Sequence, residues 1–305
     1  MKLATIGVGN AGSKVIDRMV EFEQATGRDL CRHTLVINTA RTDLAKPEHV
    51  PEGRRLLIGE THKKAKGHGV GGDAAIGAEV AQTEIDEIRR IFDDVEIHEV
   101  DAILVAPVVI EELQKMYDEP VYGLGMLPGK YEGGRPALNA ARSLQSFVNK
   151  VDNFIAFDND AWRSRGQTIE EGYEEMNREL ATRIVTLLAA GEVDESEVGE
   201  NAMDSSDIMR TLEVGGVSSI GYASTGVDTP DEGLLSRFSD EEVSEMESTD
   251  AAKIKGLVRR AVNSRLTVPC EVASAERALI IFAGPPSEIS RKGVESARDW
   301  LEQKT

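Results

Sequence analysis

The stretch Gly7-Val8-Gly9-Asn10-Ala11-Gly12-Ser13 sets three glycines in G-x-G-x-x-G order. Glycines at that spacing let backbone N–H groups close on a phosphate, and a helix opening there adds the positive end of its dipole. The chemistry on offer is anion binding, and a dinucleotide pyrophosphate is one anion it serves. A dinucleotide site makes a further demand: an Asp or Glu about 20 residues on, ending the second strand, to hold the ribose. Here that strand ends in Asn38, and Arg41 suits only a 2′-phosphorylated cofactor. A second cluster, KGHGVGGDAAIG over residues 66–77, also opens a helix and carries adjacent Gly71 and Gly72. Two glycine-rich helix openings on neighbouring strands suit a long polyphosphate better than one pyrophosphate. The alternatives are a flexible surface turn for the second cluster and an NAD(P)-dependent oxidoreductase for the whole. His68 reads as a loop histidine, and Lys63, Lys64 and Lys66 as a solvated charge run.

These loops need strands and helices to hold them, and the first half of the chain alternates the two signals as a parallel α/β sheet does. KLATIGV, HTLVIN, RRLLIG, DAILVA, PVYGLGML and NFIAF read as strands. Helices are predicted from about Ala11 to Glu23, over Ala74–Phe92, after Pro107, and around Ala137–Val148. A long helix is predicted over Thr168–Ala190, with Ile169, Tyr173, Met176, Leu180, Ile184 and Leu187 at helical spacing. Behind it come an acidic loop (EVDESEVGEN), a strand in VGGVSSIGYAS, and a polar acidic stretch over 224–250 expected to be mobile. KIKGLVRRAV, RALIIFAG and SRKGVESARDWLEQ follow as helix, strand and helix. The expected division is a phosphate-binding domain over 1–167, a connecting helix over 168–190, and a smaller α+β domain over 191–305, incomplete at its end.

Composition narrows the class. The formal charge of −19 argues against nucleic acid as a partner. Lysine is scarce, 13 residues against 22 Arg and 54 Asp plus Glu, which suits a folded protein solvated in high salt. Cys31 and Cys270 stand far apart without metal-ligand spacing, so neither a disulfide framework nor a zinc site is implied, and a reducing cytoplasm is the expected location. No run approaches the ~20 apolar residues of a membrane span, so no direct membrane insertion is expected.

Taken in order, GVGNAGSKV, NTARTDL, KGHGVGGDAAIG, GMLPGKYEGGRPALNAARS, FDNDAW, GYEEMN, MDSSDIMRTL and GGVSSIGYAS resemble the FtsZ/tubulin superfamily. The likeness is closest to its archaeal CetZ branch and continues through LTVPCEVASAERALIIFAGPP to the final helix. It implies a Rossmann-type GTP-binding domain, a long core helix and a smaller α+β domain. It also implies GTP or GDP as ligand with Mg²⁺, a head-to-tail filament of copies of the chain, and a role in cell shape or division. By this resemblance Gly9, Asn10, Ala11 and Gly12 form the first phosphate loop, with Gly7 before it. Asn38 and Asp43 fall in the second loop, and Gly71, Gly72 and Asp73 in the third. Glu132 matches a ribose-binding acid, followed by Arg135 and Asn139, and Asn159 matches a guanine contact.

Tyr173 and Asn177 lie four apart on the long helix, hence on one face. An aromatic there can stack on a purine, and an amide can read its edge with both donor and acceptor; by spacing alone Tyr173 reads equally as core. Asp204 and Asp207 in MDSSDIM match a catalytic loop that enters the next subunit's site and positions water and cation. Without the resemblance, D-x-x-D reads as N-capping and solvated charge. One departure is Ala202, where the FtsZ pattern has Asn. A larger one lies at Ala106-Pro107. The superfamily places a glycine-rich GGGTGSG-type loop after the strand matching Val100–Ala106, and here the strand runs straight into the helix. The expectation is that the two residues are not neighbours in the natural chain. A true deletion would favour a member that binds nucleotide without hydrolysing it.

Overall fold

The computed structural model describes residues 1–92, 99–105, 110–163, 168–190, 205–226, 240–285 and 288–305 of the 305-residue chain. Seven parallel strands form one sheet in the order β3-β2-β1-β4-β5-β6-β7. They are β1 (Leu3–Val8), β2 (His33–Asn38), β3 (Arg55–Leu57), β4 (Ala102–Val105), β5 (Val121–Leu127), β6 (Asn153–Asp158) and β7 (Val217–Ser218). The runs LATIGV, AILV and NFIAFD are buried almost throughout, as a parallel sheet covered on both faces requires.

Helices α1 (Gly9–Thr26) and α8 (Ile169–Ala189) cover one face, around Val15, Met19, Phe157, Leu180 and Ile184. The other face carries α3 (Ala74–Thr83), α4 (Ile85–Phe92), α5 (Ile110–Met116) and α6 (Gly134–Phe147), packed around Ile6, Ile37, Val80, Ile103 and Leu113. Strand β1 lies between β2 and β4, so the strand order reverses beside it. In open α/β sheets ligands bind outside the carboxyl ends of the strands at such a point.

The long helix α8 fixes the polarity of the molecule. Its start is a capping box: the Thr168 hydroxyl accepts the Glu171 N–H, and the Glu171 carboxylate accepts the Thr168 N–H at 3.0 Å. Its far end meets the amino ends of the strands, where the Met1 ammonium donates to the Leu188 carbonyl at 3.0 Å. Twenty-one residues span about 30 Å, enough to run from one pole of the sheet to the other.

The remaining helices are α2 (Arg41–Leu44), α7 (Asn159–Trp162), α9 (Ser205–Leu212), α10 (Asp240–Asn263) and α11 (Arg291–Glu302). Helices α10 and α11 share a small core of Ile254, Val258 and Ala297. The chain after α10 docks on the sheet beside α7. There the Trp162 indole donates to the Leu266 carbonyl at 3.0 Å and the Asp158 N–H to the Thr267 carbonyl at 2.7 Å. Buried Arg183 of α8 stacks on the Trp162 ring at 4.3 Å and lies 5.4 Å from the Tyr222 ring.

Several sequence expectations need correction. The helix predicted over Ala74–Phe92 is two helices broken at Glu84, whose carboxylate is turned to accept the Gly59 N–H at 2.9 Å. Helix α10 begins at Asp240, so 240–250, expected to be mobile, is helical; its glutamates are good helix formers. The strand expected in VGGVSSIGYAS shrinks to Val217–Ser218, and residues 277–284 join no ladder among the described residues. β-propensity makes a strand only where a partner supplies the ladder. The acidic loop EVDESEVGEN lies outside the described residues. So does the Ala106-Pro107 junction, and only the four residues 106–109 separate β4 from α5.

Candidate nucleotide site

The first glycine loop has no length to spare: β1 ends at Val8 and α1 starts at Gly9, which adopts φ +71°. Gly7 is fixed by packing, because a Cβ there would lie 2.8 Å from the Gly12 carbonyl oxygen. The strand thus meets the first turn of α1 backbone to backbone. That turn has no side-chain cap and no acidic residue, which leaves its N–H groups available to an anion. Asn10 and Ala11 are exposed at its rim.

Asn38 ends β2 next door. Its Oδ1 accepts the Ala40 N–H at 3.0 Å, while its buried Nδ2 has no hydrogen-bond partner among the described residues. A buried donor left in that condition calls for a ligand or water. Asp43, by contrast, forms a local ion pair with Lys46 at 2.6 Å. In the third loop Gly71 and Gly72 take φ +61° and +72°, a left-handed path that lets Asp73 cap α3. The Asp73 carboxylate accepts the Ala75 and Ile76 N–H groups at 3.1 Å each. Helix α6 reaches over to this loop: Asn139 Nδ2 donates to the Gly72 carbonyl at 2.5 Å, and Arg135 lies 3.6 Å from Asp73.

The other end of the site gathers around Glu132, in the 3-10 turn Lys130–Glu132 between β5 and α6. Its Oε1 accepts the Gly129 N–H at 2.8 Å and Asn159 Nδ2 at 3.0 Å. Burial first, and then the nearby Glu132 carboxylate, push the Tyr173 hydroxyl pKa up. Asn177, one turn further along α8, is buried. Lys14 and Arg18 of α1 both pair with Glu174, at 3.6 and 2.8 Å, so the openings of α1 and α8 lie side by side. The structure therefore brings Gly72, Asp73, Arg135 and Asn139 together, and Glu132, Asn159 and Tyr173 together.

Asp207 is elsewhere. It is exposed in the first turn of α9, whose end joins the amino-terminal pole of the sheet: Asn153, the first residue of β6, donates to the Leu212 and Gly215 carbonyls at 3.1 Å each. Six-residue strands span ~20 Å, so the end of α9 stands on the order of 20 Å from the glycine loops. Asp204 lies outside the described residues. Arg163, directly after α7, lays its guanidinium carbon 4.3 Å from the centroid of the ring of Tyr131, the residue next to Glu132, and no motif in the sequence signals this contact.

Comparison with known proteins accounts for this geometry. Residues 2–166 match the model of the Tubulin/FtsZ family GTPase domain, and residues 166–305 match the tubulin-like CetZ C-terminal domain. The whole chain aligns at 46% identity with 82% of tubulin-like protein CetZ1 of Haloferax volcanii. The chain belongs to the CetZ family of tubulin-like proteins. CetZ3 of the same organism is 48% identical, again with the full chain aligned to 82% of the relative. The solved structure of Haloferax volcanii CetZ1, a GDP-bound monomer, superposes with a TM-score of 0.87 at 43% identity, covering 100% of this chain and 86% of that one. Haloferax volcanii CetZ2, a GTPγS-bound protofilament, gives a TM-score of 0.86 at 34% identity with the same coverage. Membership in CetZ settles the fold as tubulin/FtsZ-like with a separate C-terminal domain, and it sets the oxidoreductase alternative aside. The CetZ1 alignment runs over 324 positions against 305 residues here, so at least 19 positions of that relative have no counterpart in this chain.

Proposed function

We propose that this GTPase-family chain binds guanine nucleotide outside the carboxyl ends of β1 and β4 and assembles head to tail into cytoskeletal filaments, serving cell shape or division. Gly9, Asn10, Ala11, Gly12, Gly71 and Gly72 take the phosphates through backbone N–H groups, with the buried Asn38 amide donating beside them. Glu132 holds the ribose hydroxyls, while Asn159 and Asn177 read guanine and the Tyr173 ring stacks on it. Mg²⁺ enters with the triphosphate and supplies charge neutralisation there; among the described residues no group of three or more His, Cys, Asp or Glu could hold it alone.

The observation that carries this reading is that α9, the helix that carries Asp207, ends at the opposite pole of the sheet from the glycine loops. It reaches a γ-phosphate only by belonging to the next subunit, where with Asp204 it positions the attacking water. The GTPγS-bound protofilament of a 34% identical relative supports assembly with guanine nucleotide bound. Phosphate release per subunit is therefore expected to be negligible in dilute solution and to rise steeply above the concentration at which light scattering reports polymer. Turnover per subunit that does not change with protein concentration contradicts the split site.

The short junction after β4 favours a second reading, a member that binds nucleotide and assembles but no longer hydrolyses it. Only the four residues 106–109 separate β4 from α5, where a glycine-rich loop of the superfamily type would supply further phosphate donors. Polymer formed with GTP but without phosphate release selects this reading. No helix among the described residues is long and apolar enough to cross a membrane.

A further inference from the structure

Residues 61–68 (THKKAKGH) carry three lysines, two histidines and no acid, in a chain whose formal charge is −19. They form a built loop rather than a loose one. Ala65 and Gly67 are buried, and Lys66 between them takes φ +50°, where every other described residue at positive φ is glycine. Main-chain bonds close the loop onto the carboxyl end of β2. The Arg41 N–H donates to the Gly67 carbonyl at 3.0 Å and the Gly69 N–H to the Thr39 carbonyl at 2.9 Å, and Ala40 and His68 form an antiparallel bridge. The chain then leads directly into Gly71 and Gly72. The loop therefore flanks the candidate phosphate site, beside Asn38 and its buried, unpartnered Nδ2. Its charges also differ from those around it. Arg41 pairs with Glu60, Lys64 with Glu79 at 3.3 Å, and Arg135 with Asp73 at 3.6 Å. Lys63 and Lys66 are exposed and pair with no carboxylate among the described residues.

We infer that Lys63 and Lys66 form an electrostatic entry site for the phosphates of the nucleotide, governing how fast the anion arrives rather than how long it stays. A nucleoside triphosphate is a polyanion, and the net charge of this chain opposes its approach. Two uncompensated cations on the rim of the glycine loops offset that repulsion where the phosphates enter, over a screening length of about 10 Å at 0.1 M salt. Rim charges of this kind act on the association rate and its salt dependence, whereas groups buried against a ligand act on dissociation. The effect grows with the charge of the ligand, so it is larger for GTP than for GDP.

This inference rests on the guanine-nucleotide reading, and stopped-flow binding of fluorescent GTP and GDP analogues to the full chain, below the assembly concentration, separates the two. The parent is expected to bind both. At about 0.1 M salt, with sucrose present to hold the fold without screening charge, Lys63→Gln/Lys66→Gln is expected to slow GTP association about 3- to 10-fold. GDP association should slow less, and dissociation of both should stay within about twofold of the parent. At about 1 M salt, where the screening length falls to about 3 Å, the association deficit should shrink to less than about twofold. Lys63→Arg/Lys66→Arg, which keeps both charges, should associate like the parent. A parent that binds neither analogue refutes the nucleotide reading and the inference with it. A parent that binds refutes the entry site alone under any of four results: the Gln variant associates within twofold of it at low salt, the loss appears in dissociation instead, the deficit persists undiminished at high salt, or the Arg variant is slowed as much as the Gln variant.

Discussion

Asp207→Ala is expected to leave GTP binding within about twofold of the parent while cutting phosphate release by about 10²–10³-fold, the scale on which removal of a group that stabilises the transition state is felt. The two halves of the result have one cause. Asp207 is exposed on α9, a helix that ends at the amino-terminal pole of the sheet, so in the split-site reading its own subunit's nucleotide does not feel its loss. Phosphoryl transfer depends on positioned water and neutralised charge rather than on covalent chemistry, and a carboxylate supplied across the interface serves both. The fold tolerates the change: Ile208 and Leu212 bury the inner face of α9, and Thr211 donates to the Asp207 carbonyl, which alanine retains. A surface change of this kind moves stability by roughly 0.5 kcal/mol. Polymers should consequently persist longer after GTP is spent by the parent, as followed by light scattering. Unchanged turnover removes Asp207 from the mechanism.

The second large effect is at the base. Asn177→Ala is expected to weaken GTP about 100-fold and to bring GTP and ATP to within about tenfold of each other. Asn177 is buried on α8 one turn beyond Tyr173, so a guanine edge placed there has no water to replace the lost amide. A truncated amide leaves the base with unpaired donor and acceptor, which costs about 2–3 kcal/mol for the pair of bonds. Discrimination collapses with affinity, because a site built around specific hydrogen bonds rejects a competitor chiefly through groups left unpaired. Titration of the parent and the variant with both nucleotides checks this, and equal binding of GTP and ATP by the parent contradicts the guanine assignment.

The parts of the site that were legible in the sequence are those governed by neighbouring residues. Gly7 and Gly9 announce the β1–α1 turn because the strand-to-helix passage itself demands them, Gly7 by its close approach to the Gly12 backbone and Gly9 by its positive φ, and Asp73 stands where an N-cap must stand before Ala74. The period of α8 gave its length to within a residue at each end. What escaped depends on contacts between distant segments. The break at Glu84 is set by a bond to Gly59, 25 residues away, and nothing within Ala74–Phe92 signals it. The Arg163 guanidinium comes over the Tyr131 ring only when α7 packs beside the turn after β5, a contact between segments 32 residues apart. Residues 277–284 have the composition of a strand, but composition cannot provide the neighbouring ladder. The pole at which α9 ends follows from the sheet order, through Asn153 and Leu212, and no motif states it.

The split site is tested most directly by mixing two inactive proteins. Asp207→Ala subunits load GTP but lack the carboxylate, whereas Asn177→Ala subunits keep the carboxylate but load GTP poorly. Each alone should release almost no phosphate at a GTP concentration that saturates the parent and not the Asn177 variant. Combined in equal amounts above the assembly concentration, they form some interfaces in which a loaded site meets an intact Asp207, and those interfaces should restore about a quarter of the parent rate. A mixture as inactive as its components, under conditions where both variants enter the same polymer, places hydrolysis within one subunit and contradicts the account.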